Sequence, residues 1–202
     1  MNIGLFGGTF DPVHNAHLFV AEGSRVALGL ERIVFLPTKR GAHRDGAAAA
    51  NAQDRVAMLR LAIAGNPAFA IDESDLRSDA TGFTADVLPL VRSRYPGAEL
   101  TFIVGADSLL RSRWQRFDDV LDALASFAIV PRAENSVDEL GVVRSGLTEE
   151  RAAKLRVLDL PALTESATLV RRRLARAQTV RYLVPEPVWR YIDERRLYRQ
   201  AA

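Results

Sequence analysis

Short apolar runs alternate with longer amphipathic stretches along most of this chain, and that alternation constrains the fold more than any other feature. The apolar runs predict buried strands, and the amphipathic stretches between them predict helices. Strands that alternate with helices form successive β-α units, so we expect an α/β fold built on an open, doubly wound parallel sheet. The predicted strands are Ile3 to Phe6, Arg32 to Leu36, Ala68 to Ile71, Leu100 to Val104, Phe127 to Val130 and Arg156 to Leu158. The predicted helices are His14 to Leu28, Gln53 to Ala64, Thr84 to Tyr95, Phe117 to Ala125, Ser166 to Arg176 and Pro187 to Arg196.

Length and composition fit one globular domain. The chain has 202 residues, of which 48% are apolar and 26% are charged. A chain of this length can bury a full core, and this composition is not that of a disordered or fibrous protein. We predict a single domain over residues 1–202, with a small helical C-terminal part at about 164–202. Gly41 to Asn51 is predicted to be a surface loop or a frayed helix start, which serves as a spacer or closes over a ligand. Arg132 to Gly146 is predicted to be a connection.

Several classes of site are excluded by composition. The chain has no cysteine, which rules out disulfides, thiolate zinc sites and cysteine nucleophiles. The N-terminal residues lack the basic and apolar segments of a secretory signal, and no run approaches the roughly 18 apolar residues of a membrane span. We therefore predict a cytoplasmic location and no membrane partner. The formal net charge is +2, and almost all of the cations are arginine, which points weakly to anionic ligands.

The turn after the first predicted strand carries the strongest functional pattern, Gly7-Gly8-Thr9-Phe10-Asp11-Pro12-Val13-His14-Asn15-Ala16-His17. Adjacent glycines let the backbone turn sharply and approach a ligand, and the amides at a helix start attract phosphate oxygens. His14 and His17 are spaced to lie on one helix face, where they can converge on one anion. Because ligands of open parallel sheets bind at the carboxyl ends of strands, we predict a polyphosphate site here.

Other roles for the two histidines stay open at this point. They could be core residues, ligands of a catalytic metal, or part of a solvated helix start. No protein metal site is predicted, because the zinc-protease spacing is absent and His43 is the only further histidine. The turn also lacks the Gly-Lys-Ser/Thr of a Walker motif and the three-glycine spacing of a dinucleotide motif.

This turn resembles the first signature of the nucleotidylyltransferase superfamily, Gly-Gly-Ser/Thr-Phe-Asp-Pro-x-His-x-Gly-His, and departs from it only at Ala16. The segment Ser166 to Arg171 is similar to the late Ser-Ser/Ala-Thr-x-Ile-Arg element of that family, and Phe102 to Ser108 resembles its Gly-x-Asp corner. The resemblance implies a Rossmann-like fold and an ATP site. The implied ATP-binding residues are Gly7, Gly8, Thr9, Phe10, His14, His17, Gly105, Asp107, Ser166, Thr168 and Arg171.

The two later elements also have plainer explanations. Ser166 as an N-cap, together with Arg171, would direct amides, hydroxyls and a guanidinium at the distal phosphates. An ordinary capped helix with an arginine-rich solvent face fits the same residues. Asp107 could likewise cap a helix, alone or while contacting the adenosine.

The resemblance covers nearly the whole chain and narrows to the nicotinate mononucleotide adenylyltransferase branch. The supporting strings begin at Arg55, Thr81 and Leu183. The resemblance implies that Trp114 stacks on the pyridine ring and that Thr84 helps to hold the nicotinate carboxylate, although Trp114 could instead be a core residue and Thr84 a cap. Phosphate contacts are expected from Lys39 and Arg44, with Arg40 near them.

The resemblance implies that AMP is transferred from ATP to nicotinate mononucleotide, giving deamido-NAD and pyrophosphate. For this transfer it implies that His14, His17 and Arg171 are catalytic and that Mg²⁺ is carried with ATP. The acceptor phosphate is already anionic near neutral pH, so no general base is needed. Positioning and stabilisation of transition-state charge are the main tasks. ATP and nicotinate mononucleotide are the expected partners.

Rival functions remain. The same reaction could use nicotinamide mononucleotide or 4′-phosphopantetheine, and the same fold could serve a non-catalytic nucleotide sensor. An RNA-binding role would need the arginines from Arg171 to Arg199, but acidic residues interrupt that run. We therefore predict no nucleic-acid partner, and the sequence leaves open whether the chain forms a homo-oligomer.

Overall fold

A computed structural model describes residues 1–39, 48–77, 79–111, 114–131 and 136–199. Its six strands form one sheet in the order β3-β2-β1-β4-β5-β6, and every neighbouring pair is parallel. The strands are β1 (Asn2–Gly8), β2 (Arg32–Pro37), β3 (Phe69–Ile71), β4 (Glu99–Gly105), β5 (Ser126–Val130) and β6 (Leu155–Val157). The helices are α1 (Asn15–Ala27), α2 (Ala52–Ile63), α3 (Thr84–Arg94), α4 (Ala106–Arg111), α5 (Phe117–Asp122), α6 (Ser136–Ser145), α7 (Glu149–Ala153), α8 (Ala167–Ala175) and α9 (Glu186–Glu194), with a 3-10 turn at Ser74–Leu76. The predicted open, doubly wound parallel sheet is confirmed.

Both faces of the sheet are covered, because successive side chains of each buried strand point to opposite sides. In β1, Ile3 and Leu5 belong to one buried cluster, whereas Phe6 belongs to the other. Helices α3 and α5 cover the first face, and α1, α2, α8 and α9 cover the second. The strands therefore read as continuous apolar runs, and this is why the sequence pattern located them.

The prediction of a connection over Arg132 to Gly146 is wrong, because helix α6 occupies most of it. Gly141 and the exposed Val142 interrupt its apolar spacing, whereas Val143 packs against the first core cluster. Packing against the rest of the protein thus decides the structure of a segment whose local pattern is weak. The short helices α4 and α7 were also not predicted, since one or two turns carry little periodicity.

The C-terminal helices share a buried cluster with α1 and α2. The side chains of Tyr191 and Arg195 in α9 bond the Asp54 carboxylate in α2, at 2.7 and 3.0 Å. A single domain over residues 1–202 with a helical part at 164–202 stays a prediction. Of the predicted loop Gly41 to Asn51, residues 41–47 lie outside the described residues, and Asn51 caps α2. Within the described ranges, no helix is both long and apolar enough to traverse a bilayer.

Candidate active site

A cavity of about 330 Å³ opens at the carboxyl ends of β1, β4 and β5. The strand order reverses between β1 and β4, and this switch point is where open α/β sheets bind ligands. All eleven residues predicted to bind ATP line the cavity. Val130, Pro131, Pro161 and Leu163 add an apolar part to its wall that the sequence did not predict.

The glycine corner, residues 7–11, turns the chain over the edge of the sheet. A side chain at Gly7 would place its Cβ 2.8 Å from the Phe102 ring, and one at Gly8 would come within 2.9 Å of Phe10. Phe10 itself has a φ of 49° and is 1% exposed, with its ring 5.0 Å from that of His17. Because Gly7 and Gly8 have no side chains, the backbone can pass close to Phe102 and Phe10. The buried Phe10 ring then anchors the corner, so its backbone lines the cavity.

His14 and His17 come together as predicted, with ring centroids 3.6 Å apart in a stacked arrangement. Two imidazolium ions at this separation would repel each other, so simultaneous charge on both rings is unfavourable. The backbone amide of His14 donates to Nδ1 of His17 at 3.2 Å. The neutral His17 ring therefore carries its proton on Nε2, which makes that nitrogen a hydrogen-bond donor.

The first amides of α1 are used differently from the sequence prediction, which offered them to phosphate. The His14 amide donates to His17, and the Asn15 amide donates to the carbonyl oxygen of Leu183 at 3.0 Å. The Asn15 side chain also donates to the carbonyl oxygen of Tyr182, at 2.7 Å. The Asn15 amide is engaged because the C-terminal segment packs over the helix start, and the His14 amide is engaged by the side chain of His17 in the same helix turn.

The late Ser-Ala-Thr segment meets the glycine corner across the cavity. Ser166 caps α8 by accepting the Leu169 amide at 3.2 Å. Arg171 donates from Nη1 to the main-chain oxygen of Asp11 at 2.6 Å and from Nη2 to Oγ1 of Thr168 at 3.4 Å. Residues of the first and the last signature thus line the same cavity, as one ATP site requires.

Asp107 lies in the first turn of α4, directly after Gly105 at the end of β4. Both residues line the cavity. Asp107 lies where an acidic side chain stabilises a helix start, and its contact with the ribose or base of a nucleotide stays a prediction.

Of the residues predicted to hold the acceptor, Trp114, Thr84 and Lys39 lie outside the cavity lining. The Trp114 ring packs edge-on against Phe102 and Phe127, and its Nε1 donates to the carbonyl oxygen of Ser108 at 3.1 Å. Thr84 is the first residue of α3. Lys39 donates from Nζ to the carbonyl oxygens of Arg77 and Ala80, at 3.3 and 3.2 Å. Arg40 and Arg44 lie outside the described residues.

Two buried charged residues at the site were not predicted. Arg55 is 2% exposed and donates to the carbonyl oxygens of Thr9 and Thr38, at 2.6 and 2.9 Å, so it ties together the turns after β1 and β2. Asp11 is 5% exposed and bonds several parts of the chain. A hydropathy pattern predicts that charged residues lie on the surface. The only signal in the sequence for these two is their place in motifs that resemble the family, Asp11 in the first signature and Arg55 at the start of a supporting string.

Asp75 lies after β3 beside these turns and is 3% exposed. Its carboxylate accepts the backbone amide of Lys39 at 3.2 Å. Burial raises the pKa of this carboxyl group to about 6, because the Lys39 amide and the charges of Lys39 and Arg55 offset the loss of water only in part.

The fold and this cavity define a nucleotide-binding α/β protein. The family model described as cytidylyltransferase-like matches residues 5–173. The chain is 34% identical to the nicotinate-nucleotide adenylyltransferase of Bacillus subtilis, over 97% of each chain. It is 36% identical to a relative from Symbiobacterium thermophilum named a probable nicotinate-nucleotide adenylyltransferase, over 97% of this chain and 94% of that one.

The chain belongs to the cytidylyltransferase-like family, with relatives named as nicotinate-nucleotide adenylyltransferases. A solved structure of Plasmodium falciparum nicotinic acid mononucleotide adenylyltransferase, complexed with NaAD, superposes with a TM-score of 0.74. That likeness covers 98% of this chain and 97% of that chain at 20% identity, and it shows the shared fold.

Asp75 makes the stability of the fold depend on pH. Its folded pKa lies above the unfolded value of about 3.9, so between these two values the folded state binds more protons and the free energy of unfolding falls as the pH rises. Asp75→Asn should raise the free energy of unfolding by roughly 1 to 3 kcal/mol at pH 7.5, and the gain should vanish near pH 4. Urea unfolding of the unmodified protein and of Asp75→Asn between pH 4 and 7.5 measures this difference in the free energy of unfolding. Asp159→Asn, at an exposed position, is the control. An Asp75→Asn gain of the same size at pH 4 and 7.5 would contradict the assignment.

Proposed function

We propose that this chain transfers the AMP part of ATP to the phosphate of nicotinate mononucleotide, giving deamido-NAD and pyrophosphate in NAD biosynthesis. One observation carries the proposal: His14, His17 and Arg171 line one cavity at the switch point of the sheet. The names of relatives that match 97% of this chain support the choice of acceptor. We further propose that the reaction takes place in the cytoplasm.

In the proposed reaction an oxygen of the acceptor phosphate attacks the α-phosphorus of ATP. The new bond joins that oxygen to the α-phosphorus, and the bond to the bridging oxygen of the β-phosphate breaks, so pyrophosphate leaves with the electron pair. The nucleophile is already an anion, and no proton has to be removed. The protein therefore has to align two nucleotides and stabilise charge on the α-phosphate and the leaving group.

The residues of the cavity suit these tasks. His17 would donate from Nε2 to an α-phosphate oxygen, next to His14 in the same stack. Gly7, Gly8, Thr9 and Phe10 would present a close backbone surface to the phosphates, and Ser166, Thr168 and Arg171 would hold the distal ones. Gly105 and Asp107 would contact the adenosine at the end of β4.

Magnesium is proposed to arrive with ATP. Asp11 and Asp107 are the acidic residues of the cavity lining, and the Asp11 carboxylate already accepts hydrogen bonds from Ala49, Ala50 and Tyr198. Among the described residues no group of three His, Asp or Glu side chains could hold a metal ion. Phosphate oxygens and water would therefore be its main ligands, and the ion would neutralise charge on the leaving pyrophosphate.

For the acceptor we propose a neighbouring site at the start of α3. Arg116 forms an ion pair with Asp86 in the first turn of α3, which brings the segment of Trp114 close to Thr84. Thr84 and the helix start would hold the nicotinate carboxylate, and the exposed part of the Trp114 ring would meet the pyridine ring. Lys39 and Arg44 are proposed to contact the acceptor phosphate.

The direct test mixes purified protein with ATP, Mg²⁺ and one acceptor at a time. Nicotinate mononucleotide should yield dinucleotide and pyrophosphate at a rate about tenfold or more above nicotinamide mononucleotide, because groups placed for a carboxylate are left unpaired by an amide. Chromatography of the products measures both. ATP binding without turnover on either of these acceptors or 4′-phosphopantetheine would favour a nucleotide sensor.

His17→Ala should lower kcat by about 10²-fold or more, the effect of removing one donor to transition-state charge, and change ATP affinity much less. His17→Gln, which keeps an N–H donor, should lose less. Steady-state kinetics and equilibrium ATP binding separate the two effects. Turnover close to that of the unmodified protein in His17→Ala would end the catalytic role of this residue.

A further inference from the structure

The Asp11 carboxylate joins the glycine corner to two other parts of the chain. Its Oδ2 accepts the Ala49 amide at 2.7 Å, and its Oδ1 accepts the Ala50 amide at 3.1 Å and the Tyr198 hydroxyl at 2.7 Å. Ala49 also lines the cavity, just before α2. A carboxylate that is 5% exposed is thus bonded by three donors from two distant segments.

Arg171 approaches the same residue in an unusual way. Its Nη1 donates to the main-chain oxygen of Asp11 at 2.6 Å, but the same nitrogen is 3.9 Å from the carboxylate Oδ2. An arginine beside a carboxylate ordinarily forms a short, two-pronged ion pair, which would use much of its charge. Here the donors from Ala49, Ala50 and Tyr198 occupy that carboxylate instead.

The consequence for Arg171 is electrostatic. A guanidinium has five N–H groups, and its described bonds to Asp11 and Thr168 use two nitrogens and leave further N–H groups for a ligand. Because Arg171 lines the cavity, those groups can meet an anionic ligand there. Removing one donor from Asp11 would strengthen the attraction between its carboxylate and Arg171. The carboxylate would then compete with phosphate for the guanidinium, and Arg171 would bind phosphate less well.

Tyr198 reaches this position through a strained turn. Arg196 and Tyr198 have φ values of 51° and 63°, a region that non-glycine residues seldom occupy, and such strain persists where other contacts enforce it. These two residues return the chain after α9 to the glycine corner. Burial, and then the charge of Asp11, raise the pKa of the Tyr198 hydroxyl well above its ordinary range, so it remains a donor.

We propose that Asp11 and Tyr198 are positioning residues that set Arg171 for the distal phosphates of ATP. The C-terminal segment then contributes to phosphate binding without touching the nucleotide. This inference rests on the proposed function, because it assumes that ATP occupies the cavity with its β- and γ-phosphates at Arg171.

The chain offers a matched control for Tyr198. The Tyr191 hydroxyl donates to the Asp54 carboxylate at 2.7 Å, the same bond at the same length from the same C-terminal segment. Asp54 is also buried, at 4% exposed, but neither Tyr191 nor Asp54 lines the cavity. Replacing either tyrosine with phenylalanine removes one hydroxyl donor from a buried carboxylate, and the two variants differ in whether that carboxylate adjoins Arg171.

The experiment measures equilibrium binding of ATP and of AMP to the full chain and to Tyr198→Phe, Asp11→Asn and Tyr191→Phe. Tyr198→Phe should weaken ATP binding by about tenfold or more, the low end of what a hydrogen bond to a charged group contributes, because Arg171 is then drawn toward Asp11. It should change AMP binding less than about twofold, because AMP has no distal phosphates. In an Asp11→Asn background, where no carboxylate charge pulls on Arg171, Tyr198→Phe should change the preference for ATP over AMP by less than about twofold. Tyr191→Phe should keep the preference for ATP over AMP, although its thermal stability should fall about as much as that of Tyr198→Phe.

Equal weakening of ATP and AMP by Tyr198→Phe, or the same loss of ATP preference in Tyr191→Phe, would show a merely structural role and overturn the inference. An unchanged ATP affinity in Tyr198→Phe would also overturn it. The proposed function fails separately: an unmodified protein that binds ATP but forms no dinucleotide refutes the reaction and still allows the ATP and AMP comparison. An unmodified protein that binds no ATP would refute both.

Discussion

Strand β1 pairs in parallel with β2 on one side and with β4 on the other, and the rest of the site depends on that placement. The chain leaves β1 for one half of the sheet and returns beside it for the other half, so the crossing helices diverge and leave a crevice above its carboxyl end. The glycine corner follows β1 at this point, and Gly105 follows β4 next to it. Proximity in the sheet therefore brings together residues that are far apart in the sequence.

Electrostatic balance in the crevice follows from how the buried charges are bonded. Arg55 fixes the turns after β1 and β2 through main-chain oxygens, and the Asp11 carboxylate binds amides and a hydroxyl. Buried charges are costly unless they are bonded in this way. Because each is bonded within the protein, Arg171 and His17 are the groups that we propose to meet an anion, whereas both ring nitrogens of His14 are buried. The neutral His17 ring can donate from Nε2 without carrying a charge of its own.

Much of this arrangement was predictable from the sequence, since it depends on local patterns. The apolar runs located the six strands to within about two residues, and three signature elements named eleven residues that the fold brings to one cavity. Long-range bonds were not predictable. Nothing near Asn15 indicates that its amide binds Leu183, and nothing near Asp11 indicates that Tyr198 returns to it. Helix α6 was not predicted because Gly141 and the exposed Val142 interrupt its apolar spacing. The packing of Val143 against the core, which stabilises the helix, is not visible in the sequence.

The central claim is that the glycine corner and the start of α8 hold one triphosphate between them. Hydrogen–deuterium exchange with and without ATP tests it most directly, because amide protection is read separately for each segment. Peptides covering residues 7–11 and 166–171 should both become protected when ATP binds, and a peptide from α5, on the opposite face of the sheet, should not change. Protection of only one of the two segments would contradict the account.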